Sequence, residues 1–298
     1  MKPTDDLAYF SEEYSADVVN ARIDPRVADA RLAAVITALT RHLHAFIKEI
    51  EPTRDEWLAG IRFLTETGRR CSDWRQEFIL LSDILGVSML VDTINSRRPS
   101  GATENTILGP YYVADRPVLP LGANICLDGK GEPCVVSGMV RDTDGRALAG
   151  ATVDVWQTND DGFYDVQQKG IQPAGNLRGL FTTDANGRYR FRTVKPRYYP
   201  IPDDGPVGRL LRQLGRHPYR AAHIHVIVSA EGHDAVITHI FDPDCPYLRE
   251  DAVFGVKRSL VGNFVRHTDQ EAAAAAGVDG APFFWTVEAD FVLSPIVP

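Results

Sequence analysis

The stretch PYRAAHIHVIVSA, Pro218 to Ala230, constrains this chain more than any other. It reads as a β-strand carrying two histidines, His223 and His225. Side chains of a strand alternate between faces, so residues two apart point the same way. Both imidazoles therefore face one side, and Ile224 and Val226 face the other. One strand thus offers two nitrogen ligands to one metal ion. Arg220 lies just upstream, within reach of the same pocket. A His-x-His pair is also met as packed or surface histidine, so the metal reading needs further ligands.

The rest of the chain sets the frame for such a site. Its 298 residues allow one large domain or two modest ones with a real core. The composition, 44% hydrophobic and 24% charged, is that of a folded protein. A net charge of -8 without a long Lys/Arg run argues against nucleic acid as a partner. The opening MKPTDDLAYF is acidic and has no apolar segment, so no signal peptide is expected. No run is long enough to span a bilayer, so no membrane role is expected. The four cysteines, Cys71, Cys126, Cys134 and Cys245, are scattered and read as reduced thiols in a cytoplasmic protein.

The first hundred residues read as helix. Asp24 followed by Pro25 predicts a helix start, with Val27, Ala34, Leu39, Leu43, Phe46 and Ile50 at broadly helical spacing. His42 and His44 on this helix read as surface or partner residues. Thr53 with Glu56 fits a capping box for a second helix that Gly68 ends. A third helix is expected from Ser72 or Asp73 to about Asn95. Its middle, EFILLSDILGVSMLV, is apolar almost all round, which predicts burial on most sides. Asp83 interrupts it and shares a face with Leu80 and Val87. It reads either as a helix-edge residue beside Ser82 and Gly86 or as a polar group aimed into a pocket.

Near residue 105 the composition turns rich in Pro and Gly, which divides the chain into a helical region, 1–105, and a second domain, 106–298. Ile107–Tyr112, ILGPYY, is apolar for a linker and is expected to pack against something. From Pro133 short alternating segments are separated by turn signals. D-A-N-G between FTTD and GRYRFRTV reads as a hairpin, AEGH joins HIHVIVSA to AVITHIFD, and FFWTVEADFVL reads as a closing strand. GPVGRLLRQLGRHP is a helical excursion, and EAAAAAGVDG an exposed loop or helical turn. The fold expected is mainly β: an antiparallel β-sandwich behind an α-helical N-terminal region.

Two segments of that sandwich offer tyrosine beside the histidines. WQTNDDGFYDV exposes Tyr164 near a loop, and KPRYYPIPDDGPVG offers Tyr198 and Tyr199. A tyrosine beside a loop is often amphipathic packing. As a ligand, phenolate is hard and anionic, suited to Fe(III) rather than Zn(II).

Taken together, WQTNDDGFYDV, YPIPDDGPVG and R-A-A-H-I-H resemble the intradiol ring-cleaving dioxygenases in order and spacing, over nearly the whole chain. The front segments RQEFILLSDILGVSMLVDTIN and ATENTILGPYY resemble the hydroxyquinol 1,2-dioxygenase branch rather than the protocatechuate branch. The resemblance implies Fe(III) held by Tyr164, Tyr199, His223 and His225. Tyr199, not Tyr198, stands five residues before Asp204 of the Asp-Gly-Pro turn, as the family pattern requires. It also implies that Tyr199 leaves the metal and takes a proton, and that Arg220 stabilises charge on the substrate. Ala221 stands where members commonly have Pro, and His239 where many have Gln. The substrate pocket is expected from Leu80, Asp83, Ile107, Leu108, Gly109, Pro110 and Tyr111, with Tyr198, His239 and Val253. A carboxylate at Asp83 would meet the third hydroxyl of hydroxyquinol, where catechol offers only C–H. A homodimer through the N-terminal helices is implied, and relatives bind a phospholipid at that interface.

The implied reaction cleaves hydroxyquinol (benzene-1,2,4-triol) with O2 to 3-hydroxy-cis,cis-muconate, or maleylacetate. A second reading keeps the fold and makes catechol or chlorocatechol the substrate. A third is a β-sandwich that binds ligands without catalysis, and a fourth a zinc hydrolase on His223, His225 and Asp242.

Overall fold

The computed structural model describes residues 9–26, 29–73, 75–278 and 280–296. The chain divides into two compact units, Met1–Glu66 and Thr67–Pro298. In the first, α1 spans Ser15–Asn20 and α2 spans Ala30–Ile50. Asp29 caps α2 by accepting from the Leu32 N–H at 2.7 Å. The sequence had pointed to Asp24 and Pro25 for that start. Asp24 instead accepts from the backbone N–H and guanidinium of Arg26. A short acidic side chain closes a turn as readily as it caps a helix, so residue type alone does not choose between them. Val27 lies outside the described residues. Leu39, Leu43 and Phe46 lie on α2, which has no buried residue in this single chain.

Helix α3, Arg54–Arg70, opens with the expected capping box. Thr53 N–H donates to Glu56 Oε2 at 2.8 Å, and Glu56 N–H to Thr53 Oγ1 at 3.2 Å. The helix runs through Gly68 rather than ending there, because one glycine costs a helix only about 1 kcal/mol.

In the second unit the single helix expected over 72–95 is two, α4 (Glu77–Ile84) and α5 (Val87–Asn95). Gly86 takes the left-handed conformation, φ 72°, and breaks the run. An unbroken apolar stretch on both sides hides that stop from periodicity. The expected burial is not met either: Ile84 and Met89 are buried, while Phe78, Ile79, Leu90 and Val91 are exposed.

Eleven strands follow among the described residues: β1 Pro133–Asp142, β2 Thr152–Trp156, β3 Arg178–Thr182, β4 Arg188–Val194, β5 Tyr199–Pro200, β6 Tyr219–Arg220, β7 His223–Ser229, β8 Val236–Phe241, β9 Val265–His267, β10 Phe284–Glu288 and β11 Phe291–Leu293. Helix α6 is Pro206–Gln213, and the Ala-rich segment is a helix, α7, Gln270–Ala276, capped by Asp269. One sheet runs β3-β2-β7-β8, all antiparallel. The other centres on β1, with β4 on one edge and β10 and β11 on the opposite edge. There β1 runs parallel to both β10 and β11, so the all-antiparallel expectation is corrected to a mixed sheet. Hairpins enforce antiparallel pairing, but a strand returning after a long excursion is free to enter in either direction. The closing segment is two strands, parted where Met139 N–H donates to the Asp290 side chain at 2.9 Å: β10 pairs the first half of β1 and β11 the second.

The D-A-N-G turn forms as expected, with Gly187 N–H on Asp184 O at 3.0 Å and φ 71°. It does not make a hairpin, however. β3 pairs β2 and β4 pairs β1, so the turn carries the chain from one sheet to the other. Phe181 and Phe191 then meet in the shared core, stacked at 5.2 Å. That core takes Val136 and Val140 from β1, Val153 and Val155 from β2, and Ile224, Val226 and Val228 from β7.

Candidate active site

Because Ile224, Val226 and Val228 fill the core, His223 and His225 project from the opposite face of β7. Register fixes their neighbours. His225 lies opposite Trp156 on β2 and His239 on β8. The Trp156 ring stacks on His225 at 4.6 Å, tilted by 8°. His225 Nδ1 lies 2.7 Å from His239 Nε2, and His225 Nε2 lies 3.0 Å from His223 Nε2. His223 Nδ1 contacts the Ala221 carbonyl at 2.6 Å.

The turn after β2 delivers Tyr164. The Asn159 side chain accepts from the Asp161 and Phe163 N–H groups, and Gly162 sits at φ 82°. A Cβ there would also lie a tight 3.2 Å from the Tyr198 carbonyl, so both the backbone angle and the space favour glycine. Asp165, next in the chain, pairs with the buried Arg178 at 2.7 Å and anchors the turn. Tyr164 Oη then lies 2.9 Å from His225 Nε2 and 3.1 Å from Tyr199 Oη. Tyr199 is held by the short β5–β6 pair, opposite Arg220. Arg220 Nε donates to Asp251 Oδ1 at 2.9 Å, and Asp251 also accepts from the Ala221 and Gly255 N–H groups. Arg220 Nη2 is buried and has no hydrogen-bond partner among the described residues.

Four donors expected from the sequence, Tyr164, Tyr199, His223 and His225, thus meet in one buried place. Burial, reinforced by the Arg220 charge, pushes the His223 imidazole down to about 3. Burial, with His223 beside it, holds His225 well below the usual imidazole range. Both rings are therefore neutral, with lone pairs to give. Burial raises Tyr164 well above the usual phenol range and raises Tyr199 too, although Arg220 draws Tyr199 back. Burial works against the charge of Arg220 itself, yet Asp251 and the two tyrosines outweigh it and raise its pKa.

The segment Ile107–Tyr111 packs over this cluster. Gly109 sits at φ 76°, where a Cβ would lie 3.2 Å from His225 Cε1. Tyr111 stacks on Tyr164 at 4.7 Å, and Leu108 packs with Trp156, Tyr164 and Tyr199. Pro110 is exposed and Ile107 half-buried. Leu80 is half-buried on α4, as is Asp83 a turn later. Burial raises the Asp83 carboxyl, with Ser88 and the Arg220 charge pulling it back. Val253 is buried two residues past Asp251. His239 is buried against His225. Tyr198 is not brought to the four: it turns outward, 40% exposed, edge-on to Tyr219 and Tyr247. Asp242 pairs with Lys195 at 3.2 Å and lines a cavity of about 250 Å³ that touches none of the four donors.

Sequence reading missed Asp251, Trp156 and the Asp165–Arg178 pair. Asp251 is 31 residues from Arg220, and nothing local ties them. Trp156 is a neighbour of His225 only once the β2–β7 register is known.

A family model described as "Dioxygenase" matches residues 107–295, and one described as "Catechol dioxygenase N terminus" matches residues 29–103. Over 294 residues the chain is 61% identical to a hydroxyquinol 1,2-dioxygenase of Rhizobium sp. (strain MTP-10005), covering 99% of each chain. The solved hydroxyquinol 1,2-dioxygenase of Pseudomonas putida DLL-E4 is similar at TM-score 0.89 and 43% identity, over 96% of this chain and 99% of that one. The solved catechol 1,2-dioxygenase of Acinetobacter sp. ADP1 is similar at TM-score 0.78 and 32% identity, over 99% of this chain and 94% of that one. With both family models matched in order and a full-length relative at that identity, the chain belongs to the intradiol ring-cleaving dioxygenases.

Proposed function

We propose that the chain holds Fe(III) through Tyr164, Tyr199, His223 and His225 and cleaves hydroxyquinol with O2 between its adjacent hydroxyl-bearing carbons. The product is 3-hydroxy-cis,cis-muconate, the enol of maleylacetate, and both atoms of O2 end in it. One observation carries the reading: two phenol oxygens and two imidazole nitrogens meet at 2.9 to 3.1 Å from one to the next, fully buried. The donor set fits the ion. The imidazoles are held neutral, and two buried phenols need a strong cation to ionise, which a trivalent hard metal supplies. The relatives named for hydroxyquinol support the substrate.

When bound, iron supplies a Lewis acid for the two vicinal substrate oxygens. The rest falls to the protein. Tyr199, opposite the Arg220 cation, is the group that as a phenolate can take a proton from a substrate hydroxyl and become a phenol. Arg220 Nη2, buried and without a hydrogen-bond partner among the described residues, is a donor for negative charge that grows on the ring. The Ile107–Tyr111 segment and Leu80 keep water from the ring. Asp83, close enough to feel Arg220, accepts from the third hydroxyl.

An acceptor shielded from water and left unpaired costs about 1–3 kcal/mol, which is roughly five- to 150-fold in kcat/KM. Hydroxyquinol is therefore expected to outrun catechol by that factor. Asp83→Ala should lower hydroxyquinol turnover far more than catechol turnover. A wild type that prefers catechol, or equal losses on both, would sink the substrate assignment and leave the catechol reading.

The two sheets around one core support a β-sandwich as the catalytic domain, residues 106–298, behind a helical region, 1–105. The exposed apolar residues of α2 support a homodimer through that region and offer an apolar face to phospholipid acyl chains. A monomer in sedimentation at micromolar concentration would count against it. The four cysteines are unpaired, which suits the reducing cytoplasm.

A further inference from the structure

Register sets Arg178, Trp156, His225 and His239 in one row across four strands. That row encloses the His225 ring. Trp156 covers one face at 4.6 Å, the Gly109 backbone lies against Cε1 so closely that an added Cβ would stand 3.2 Å from it, and His239 Nε2 meets Nδ1 at 2.7 Å. His225 Nε2 is already turned to Tyr164 Oη and His223 Nε2. At 2.7 Å one of the two nitrogens joining His225 and His239 must carry a hydrogen. If His225 is to give its Nε2 lone pair to a metal, its own Nδ1 carries that hydrogen and donates it. His239 Nε2 is then the acceptor, and His239 carries its hydrogen on Nδ1. That Nδ1 is buried with no hydrogen-bond partner among the described residues, so His239 makes this one polar contact through its ring and no other.

We propose that His239 is a positioning residue: its neutral Nε2 holds His225 in the Nδ1–H form and keeps His225 Nε2 aimed at the iron. It acts through His225 and does not touch the substrate. The inference rests on the ferric reading above. A ligand histidine commonly donates its second N–H to a fixed acceptor, and loss of that acceptor costs about ten- to hundredfold in metal affinity. Here the acceptor is a second imidazole, presented from the adjacent strand.

The test compares iron per chain, the rate of iron loss to a chelator, and the visible tyrosinate-to-iron band. The proteins are the wild type, His225→Ala, His239→Gln, His239→Asn and His239→Leu. Glutamine reaches far enough to accept from His225 Nδ1, while asparagine is equally polar but a methylene too short. His239→Leu and His239→Asn are expected to lose iron about ten- to hundredfold faster than wild type and to shift the band. His239→Gln should stay near the wild-type rate and band. If the leucine variant does not fold, the Gln and Asn pair decides alone. Wild-type retention and band position in the asparagine variant would overturn the role of His239. A wild type that takes up no iron, with His225→Ala indistinguishable from it, would overturn the ferric reading instead.

Discussion

Asp251 organises three backbone and side-chain groups with one carboxylate. Oδ1 takes Arg220 Nε and the Ala221 N–H, and Oδ2 takes the Gly255 N–H at 2.7 Å. It thereby fixes the Arg220 fork and the turn that carries Val253. Asparagine keeps one acceptor oxygen but turns an N–H₂ group against the Gly255 N–H. That leaves a buried donor unpaired, at about 1–3 kcal/mol. Asp251→Asn is expected to lower Tm and to lower kcat/KM, with iron content unchanged because no ligand moves. Calorimetry, metal analysis and steady-state rates check it; unchanged kinetics would mean that Arg220 is held without Asp251. At this scale the sequence was legible where chemistry is local. His-x-His on a strand and the Gly-x-Tyr turn both act within a few residues of themselves. Asp251 and Trp156 were not legible, since their roles exist only through contacts 31 and 69 residues away in the chain.

At the scale of elements, the pocket roof depends on backbone shape. Gly109 combines φ 76° with a Cβ position 3.2 Å from His225 Cε1. An alanine there pays for the left-handed conformation, about 1–2 kcal/mol, and also presses on the His225 ring. Gly109→Ala is expected to lower Tm and to cut kcat, whereas Gly101→Ala, at φ 90° with open space around it, should lower Tm alone. Equal kinetics in the two variants would contradict a packed roof. Elements themselves were legible from alternation and caps, as β7, β8 and the Thr53–Glu56 box show. Pairing was not. The D-A-N-G turn reverses the chain locally, but the partners of β3 and β4 are chosen by the shared core. Period-two alternation likewise carries no strand direction, so the parallel entry of β10 and β11 against β1 was invisible.

At the scale of the whole molecule, one antiparallel and one mixed sheet share a core and leave an outer face of the antiparallel sheet for chemistry. The donors come from the turn after β2, from β5 and from β7, so no single segment holds the site. Trp156 and His225, Gly109 and His225, Tyr199 and Arg220 are each pairs made by the fold. As proposed above, these donors hold Fe(III) for the cleavage of hydroxyquinol. Oxygen uptake tests it most directly, with purified protein mixed with hydroxyquinol in an oxygen electrode, before and after chelation. One O2 is expected to be consumed per hydroxyquinol, with uptake abolished when iron is removed and restored by iron but not by zinc. Uptake that ignores iron removal, or no uptake at all with hydroxyquinol by the iron-loaded protein, would contradict it.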